Sequence, residues 1–201
     1  MSWIDEIPYS EAQGALKKLY NRVKGPNDYI DNILSVHSLR PHSLLGHISL
    51  YKNVLHHRNN TLPKWYLETL GIYVSMLNRC AYCIDHHSAG LKRLLDDEDR
   101  YKQIMEGLRK GEMSKVFGEK YAAGITYSQN LTQAPYSLKA SDIQHLRELG
   151  FTDGEMLEIN QVVSYFNYAN RSVLGLGVTT EGDILGLSPN NSDDAANWSH
   201  Q

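Results

Sequence analysis

An all-α fold is what this sequence predicts, and three observations predict it. Apolar residues recur at helical spacing almost everywhere along the 201 residues. No segment alternates apolar and polar residues long enough to make a strand. The breaks between periodic segments carry helix punctuation, with Ser or Thr before a segment and Gly or Pro after it. The pattern reads as a single-domain bundle of about eight helices over residues 1–187, with a polar tail, "SPNNSDDAANWSHQ", over 188–201.

The elements follow in order. Ser10 and Gln13 form a candidate capping box for a first helix carrying Leu16, Leu19, Tyr20 and Val23, ended by Gly25-Pro26. A second segment, "DYIDNILSVHSL", places Ile30, Ile33, Leu34 and His37 on one side and stops before Pro41. The third puts Leu44, Leu45, Ile48, Tyr51 and Leu55 inward. Thr61 is the expected cap of the next, with Pro63 in the first turn, where a missing N–H costs nothing. Its run "YLETLGIYVSML" is apolar around most of its circumference, which marks a buried helix. Asn78 breaks it, and "CAYCIDHHSAGLKRLL" is the following helix. A polar surface helix ends at Gly111. Ser114 caps a segment with Phe117, Tyr121, Ile125 and Tyr127 or Ser128 inward. "SDIQHLRELG" is short, and Thr152 with Glu155 opens a long buried helix through a second capping box. At an offset of 90, "ETLGIYVSMLNRC" lies over "EINQVVSYFNYAN", pairing Glu68 with Glu158 and Cys80 with Asn170. A degenerate repeat of this kind would make the fold a pair of similar helical hairpins.

Composition narrows the function. Apolar residues are 41%, charged residues 21% and the net charge is −3, as in ordinary soluble domains, so neither a nucleic-acid nor an anionic-membrane partner is expected. No apolar run reaches the roughly 18 residues of a membrane span, and the start "MSWIDEIPYSEAQ" does not read as a secretory signal. A cytoplasmic protein is expected, where a C-x-x-C pair is more often redox-active or metal-binding than a structural staple. The 13 tyrosines are expected mainly at helix interfaces, where their rings pack and their hydroxyls find partners.

The chemistry concentrates in "RCAYCIDHHSAG". Cys80, Cys83 and His87 share a helix face, and Cys83 and His87 are one turn apart. With Cys80 in the first turn, the helix N-terminus, Arg79 and the imidazole would all lower thiol pKa. Thiols at this spacing can close a disulfide with little backbone movement. Glu68 is the sole acid in an apolar helix and needs a partner if buried. His87 is the partner of choice, giving a relay from Glu68 through His87 to Cys83. Tyr82, between the cysteines, can donate a hydrogen bond to a peroxide or sulfenate oxygen. His86 and Asp85 read as ordinary surface or core residues.

The pattern Glu68, Cys80, Cys83, His87 resembles the signature of the alkylhydroperoxidase D family, within the carboxymuconolactone decarboxylase superfamily. "SLRPHSLLGHISLYKNVL" and "YFNYANRSVLGLGV" resemble flanking helices of its peroxidase-related branch, and the likeness runs over about residues 28–178. The resemblance implies an all-helical homo-oligomer that uses no cofactor beyond a redox-active disulfide. It implies reduction of hydroperoxides by a cysteine pair, reset by an external dithiol reductant or adaptor protein. Carried over, Cys83 is the reactive thiol with His87 as its base, Cys80 is its disulfide partner and the more accessible sulfur, and Glu68 tunes the relay; the two cysteine roles could be exchanged. The best-described members carry a second histidine between the cysteines, where Tyr82 stands here. Two other readings stay open: zinc held by Cys80, Cys83, His87 and either Glu68 or His86, because two thiolates and an imidazole suit it, and a helical scaffold with inert thiols.

Overall fold

The structure is a computed structural model that describes residues 2–187 and Pro189. The remaining residues of the polar tail lie outside this description. Nine α-helices make up the regular structure of the described residues, joined by short 3₁₀ and π turns. They are α1 (Gly14–Val23), α2 (Asn32–Ser35), α3 (Pro41–Tyr51), α4 (Lys64–Leu77), α5 (Ala81–Leu95), α6 (Glu98–Lys110), α7 (Met113–Gln133), α8 (Ala140–Glu148) and α9 (Asp153–Leu176). The all-α expectation holds. Among the described residues no helix is long and apolar enough to cross a membrane.

Helix α4 is the axis. Every residue from Tyr66 to Ser75 is buried, because α5, α7 and α9 surround it. That is the physical meaning of its uninterrupted apolar circumference. Gly71 is required where α4 meets α9: a Cβ there would lie 2.2 Å from the Phe166 ring. Two cores result. The larger joins α4, α7 and α9 through Leu70, Ile125, Ile159 and Phe166; a smaller one packs α1 on α3 through Leu16, Tyr20, Leu44 and Ile48.

Several helix starts differ from expectation. The first helix begins at Gly14, capped by Gln13 without a side-chain bond, so Ser10 and Gln13 form no capping box. The second is a single turn, and residues beyond Ser35 continue as turns. Pro63, not Thr61, is the N-cap of α4; Thr61 instead donates its N–H and hydroxyl to Glu158. Glu112 replaces Ser114 at the start of α7, which kinks at Gly118. Leu45 faces solvent while His47 takes the inward position. The second capping box stands: Thr152 accepts from Glu155 N–H, and Glu155 accepts from Thr152 N–H. The repeat does not extend to paired hairpins. Cys80 marks a helix boundary, whereas Asn170 sits inside the unbroken α9. Glu158 pins a loop rather than a histidine.

Candidate active site

Asn78 ends α4, Arg79 turns the chain with a left-handed φ of 58°, and Cys80 becomes the N-cap of α5. Cys80 is therefore one step before the first turn in which the spacing placed it. This sharp turn brings the α5 start back against α4 and α9. Both sulfurs are buried and free, 3.2 Å apart. A disulfide needs about 2.05 Å, so closure asks for a movement of roughly 1 Å.

The pair shares its charge unevenly. Hydrogen bonding with Cys83 draws Cys80 below the ordinary thiol range in spite of burial. Cys83 is pushed well up, first by its bond to Cys80, then by burial and the Cys80 charge, with Asn170 and Ser75 opposing. Of the two thiols, Cys80, at a helix N-terminus, is thus the more readily ionised. Arg79 is exposed and acts on neither sulfur, contrary to the sequence expectation. Nor is Cys80 the more accessible sulfur: it is 0% exposed, and Cys83, at 3%, is the one that lines a cavity.

That cavity, about 50 Å³, is walled by Cys83, Glu68, His87, His47, Tyr51 and Tyr165, among others. Glu68 is 5% exposed and accepts from His87 Nδ1 at 2.7 Å. A second imidazole, His56 Nε2, lies 4.0 Å from the other Glu68 oxygen. Phe166 meets the His87 ring edge-on at 4.6 Å, so α9 fixes the imidazole plane. The glycine that lets Phe166 approach α4 is thus two contacts from His87. Burial holds the Tyr51 and Tyr165 hydroxyls as un-ionised phenols. Some of the chain's tyrosines therefore line the cavity as well as the helix interfaces.

Tyr82 also lines the cavity, but its hydroxyl is engaged. It donates to Asp183 at 2.7 Å and accepts from Ile33 N–H at 3.1 Å. Asp183 belongs to a strap, residues 178–187, that follows α9 and crosses the α5 side of the cavity. Its carboxylate also accepts from His86 Nε2 at 2.9 Å, from Tyr29 and from Asn32 N–H. Asn32 Nδ2 further holds the strap carbonyls of Thr179 and Glu181. Gly186 packs on Ala89 and Gly90, and Leu187 joins the cavity wall. His86 is thus a strap anchor, and Asp85 is exposed as expected.

The donors of the zinc reading, Cys80, Cys83, His87 and either Glu68 or His86, are not gathered within 4.8 Å of one another among the described residues. His87 directs Nδ1 to Glu68, and His86 directs Nε2 to Asp183. Among the described residues the donors that converge, within 4.8 Å, are Asp31, His86 and Asp183. There the Asp183 oxygens already receive four donors, as a hydrogen-bonded pin would. Asp31, His47, His56 and Asp183 were not singled out by sequence. His47 alone had a legible signal, since it falls between Leu44 and Tyr51 at helical spacing.

No family model matches the chain, and no curated protein matches it. Solved structures do. A peroxidase-related protein from Silicibacter sp. TM1040 shares 21% identity over 76% of this chain and 78% of its own, with a TM-score of 0.67. An alkylhydroperoxidase AhpD core protein from Ralstonia eutropha JMP134 shares 18% identity over 92% and 96%, with a TM-score of 0.74. The debrominase Bmp8, as a cysteine-to-alanine variant in complex with 2,3,4-tribromopyrrole, shares 14% identity over 89% and 93%, with a TM-score of 0.68.

Proposed function

We propose that this chain, whose fold is that of the AhpD-like, peroxidase-related proteins, is a cysteine-based peroxidase that cycles through a Cys80–Cys83 disulfide. The observation that carries the reading is the sulfur pair at 3.2 Å, with Cys83 facing the cavity shared by the Glu68–His87 couple.

Each step balances on these residues. As Cys83 attacks the terminal peroxide oxygen, its proton passes to His87. The O–O bond breaks, the alkoxide leaves as an alcohol by taking a proton from the His87 side, and Cys83 becomes a sulfenic acid. The Cys80 thiolate then attacks the Cys83 sulfur, forming the S–S bond and expelling hydroxide, which leaves as water. Cys83 has lost two electrons to the peroxide, and the disulfide stores that oxidation. An external dithiol returns two electrons and two protons. Glu68 keeps His87 oriented and supports the imidazolium formed when it holds a proton.

A cytoplasmic homo-oligomer completes the proposal; exposed Leu45, Leu50, Leu94, Leu157 and Leu174 leave apolar surface for a second copy. Reductive dehalogenation, the chemistry that the Bmp8 description names, could use the same cysteines. It needs room for a halogenated ring, and a cavity of about 50 Å³ is roughly a third of the volume that accepts benzene. The test is hydroperoxide consumption with dithiothreitol as donor. Turnover that disappears in both Cys83→Ser and Cys80→Ser is expected; full turnover in Cys83→Ser would end the reading.

A further inference from the structure

Glu68 meets two imidazoles, one at each carboxylate oxygen. Oε2 accepts from His87 Nδ1 at 2.7 Å. A carboxylate tied at that oxygen alone could still turn about its Cγ–Cδ bond, and a turn would strain or break the bond to His87. The other oxygen, Oε1, faces His56 Nε2 at 4.0 Å. That separation is longer than a hydrogen bond but within the reach of Coulomb attraction. The two side chains are 2% and 7% exposed, so water and salt screen the attraction little. An imidazole nitrogen beside an anionic oxygen keeps its proton there, so His56 presents an N–H to the charge.

The chain builds this second contact from the turn after α3. His56 ends the π turn Lys52–His56, a widened turn of the kind often found at functional sites. Tyr51, the last residue of α3, meets the His56 ring edge-on at 4.7 Å and the His87 ring edge-on at 6.2 Å. One phenol ring therefore spaces both imidazoles around one carboxylate. His56 is not part of the cavity wall that holds Cys83, so its influence on the thiols passes through Glu68.

We propose that His56 is a positioning residue of the peroxide cycle: it steadies Oε1 of Glu68 so that Oε2 stays on His87 Nδ1, which leaves His87 Nε2 as the base for the Cys83 proton. This rests on the cysteine-peroxidase reading above. In the step it serves, the Cys83 S–H proton moves to His87 as the S–O bond forms and the O–O bond breaks, and the leaving oxygen takes that proton as it departs. His56 gains and loses no proton. It keeps the carboxylate oriented while positive charge appears on His87 and is discharged.

The experiment measures the rate of Cys80–Cys83 disulfide formation by hydrogen peroxide in the reduced full chain, through rapid alkylation and mass spectrometry. Glutamine carries an amide N–H to about the place of imidazole Nε2, whereas asparagine reaches only to about that of Nδ1. His56→Gln is therefore expected within about twofold of wild type, and His56→Asn about five- to tenfold slower, the worth of one polar contact. In a Glu68→Gln background, His56→Asn should cost less than about twofold more, because both changes break the same chain of contacts. Equal rates for His56→Gln and His56→Asn would overturn the proposal. So would a loss by His56→Asn as large in Glu68→Gln as in wild type, which is what a merely structural histidine gives. Either result leaves the peroxidase reading in place. Should His56→Asn fail to fold, His56→Leu in the two backgrounds decides by the same comparison. A wild type whose cysteines stay reduced under peroxide would remove the reading and the proposal together.

Discussion

Removing the Asp183 carboxylate should open the thiol cavity. The side chain is 0% exposed and receives Tyr82, His86, Tyr29 and the Asn32 N–H. Hydrogen bonds to a charged group are worth about 1.5–3 kcal/mol each, but four that share one acceptor do not add. Once the strap lifts, water replaces the lost partners, which caps the penalty. A net weakening of about 3 kcal/mol in strap docking is the reasonable figure, near the low end for breaking a buried pair. At 1.4 kcal/mol per tenfold, the open population rises by about a hundredfold. Cys80 and Cys83 are 0% and 3% exposed, so a thiol reagent must wait for an opening. Where reclosing outpaces labelling, its rate follows the open population. Asp183→Ala should therefore label about a hundredfold faster at fixed pH than wild type. Retention of most helical circular dichroism would show that the strap alone has moved. A labelling rate within threefold of wild type, with the stability loss present, would refute the idea that access to the thiols runs past the strap.

Other expectations follow from the same contacts. Glu68→Gln removes the anion that orients His87; a charge-assisted bond of about 1.5–3 kcal/mol predicts a fall of about ten- to a hundredfold in kcat/KM for peroxide, read in steady-state assays. Asp31 has its pKa raised to about 7, first by burial, then by Asp183, with His86 opposing. Between its ordinary value near 4 and about 7 the folded state keeps a proton that the unfolded chain has released, so this group's contribution is full at acid pH and is lost as pH rises. Asp31→Asn should match wild type in urea melts near pH 4 and exceed it by about 2–4 kcal/mol above pH 7; a constant difference would contradict the assignment. Gly71→Ala forces the Phe166 ring off α4 and toward His87, and should cost at least about 2 kcal/mol in thermal or urea unfolding.

Much of the fold was written in local pattern. Helix α4 announced itself by an apolar circumference, and α9 by Thr152 and Glu155, because burial and capping act over a few residues. What failed were helix starts that tertiary contacts decide. Thr61 has the right chemistry for a cap, but Glu158, 97 residues away, takes its hydroxyl. The site divides in the same way. Cys80, Cys83 and His87 follow from one helix face, and Glu68 from the cost of burying a lone acid. The unlike shifts of the two thiols were not legible, since they depend on the sulfur–sulfur contact and on the burial of each sulfur in the fold. Asp183 and Asp31 lie in segments without periodicity, and only the folded chain brings them beside His86.

The most direct test is mass spectrometry of the reduced protein before and after one equivalent of hydrogen peroxide, with each cysteine mapped. The account predicts loss of two hydrogens and a single Cys80–Cys83 linkage that dithiothreitol reverses. Two cysteines still free after peroxide, or oxidation that stops at one sulfur while the other stays available to alkylation, would contradict it.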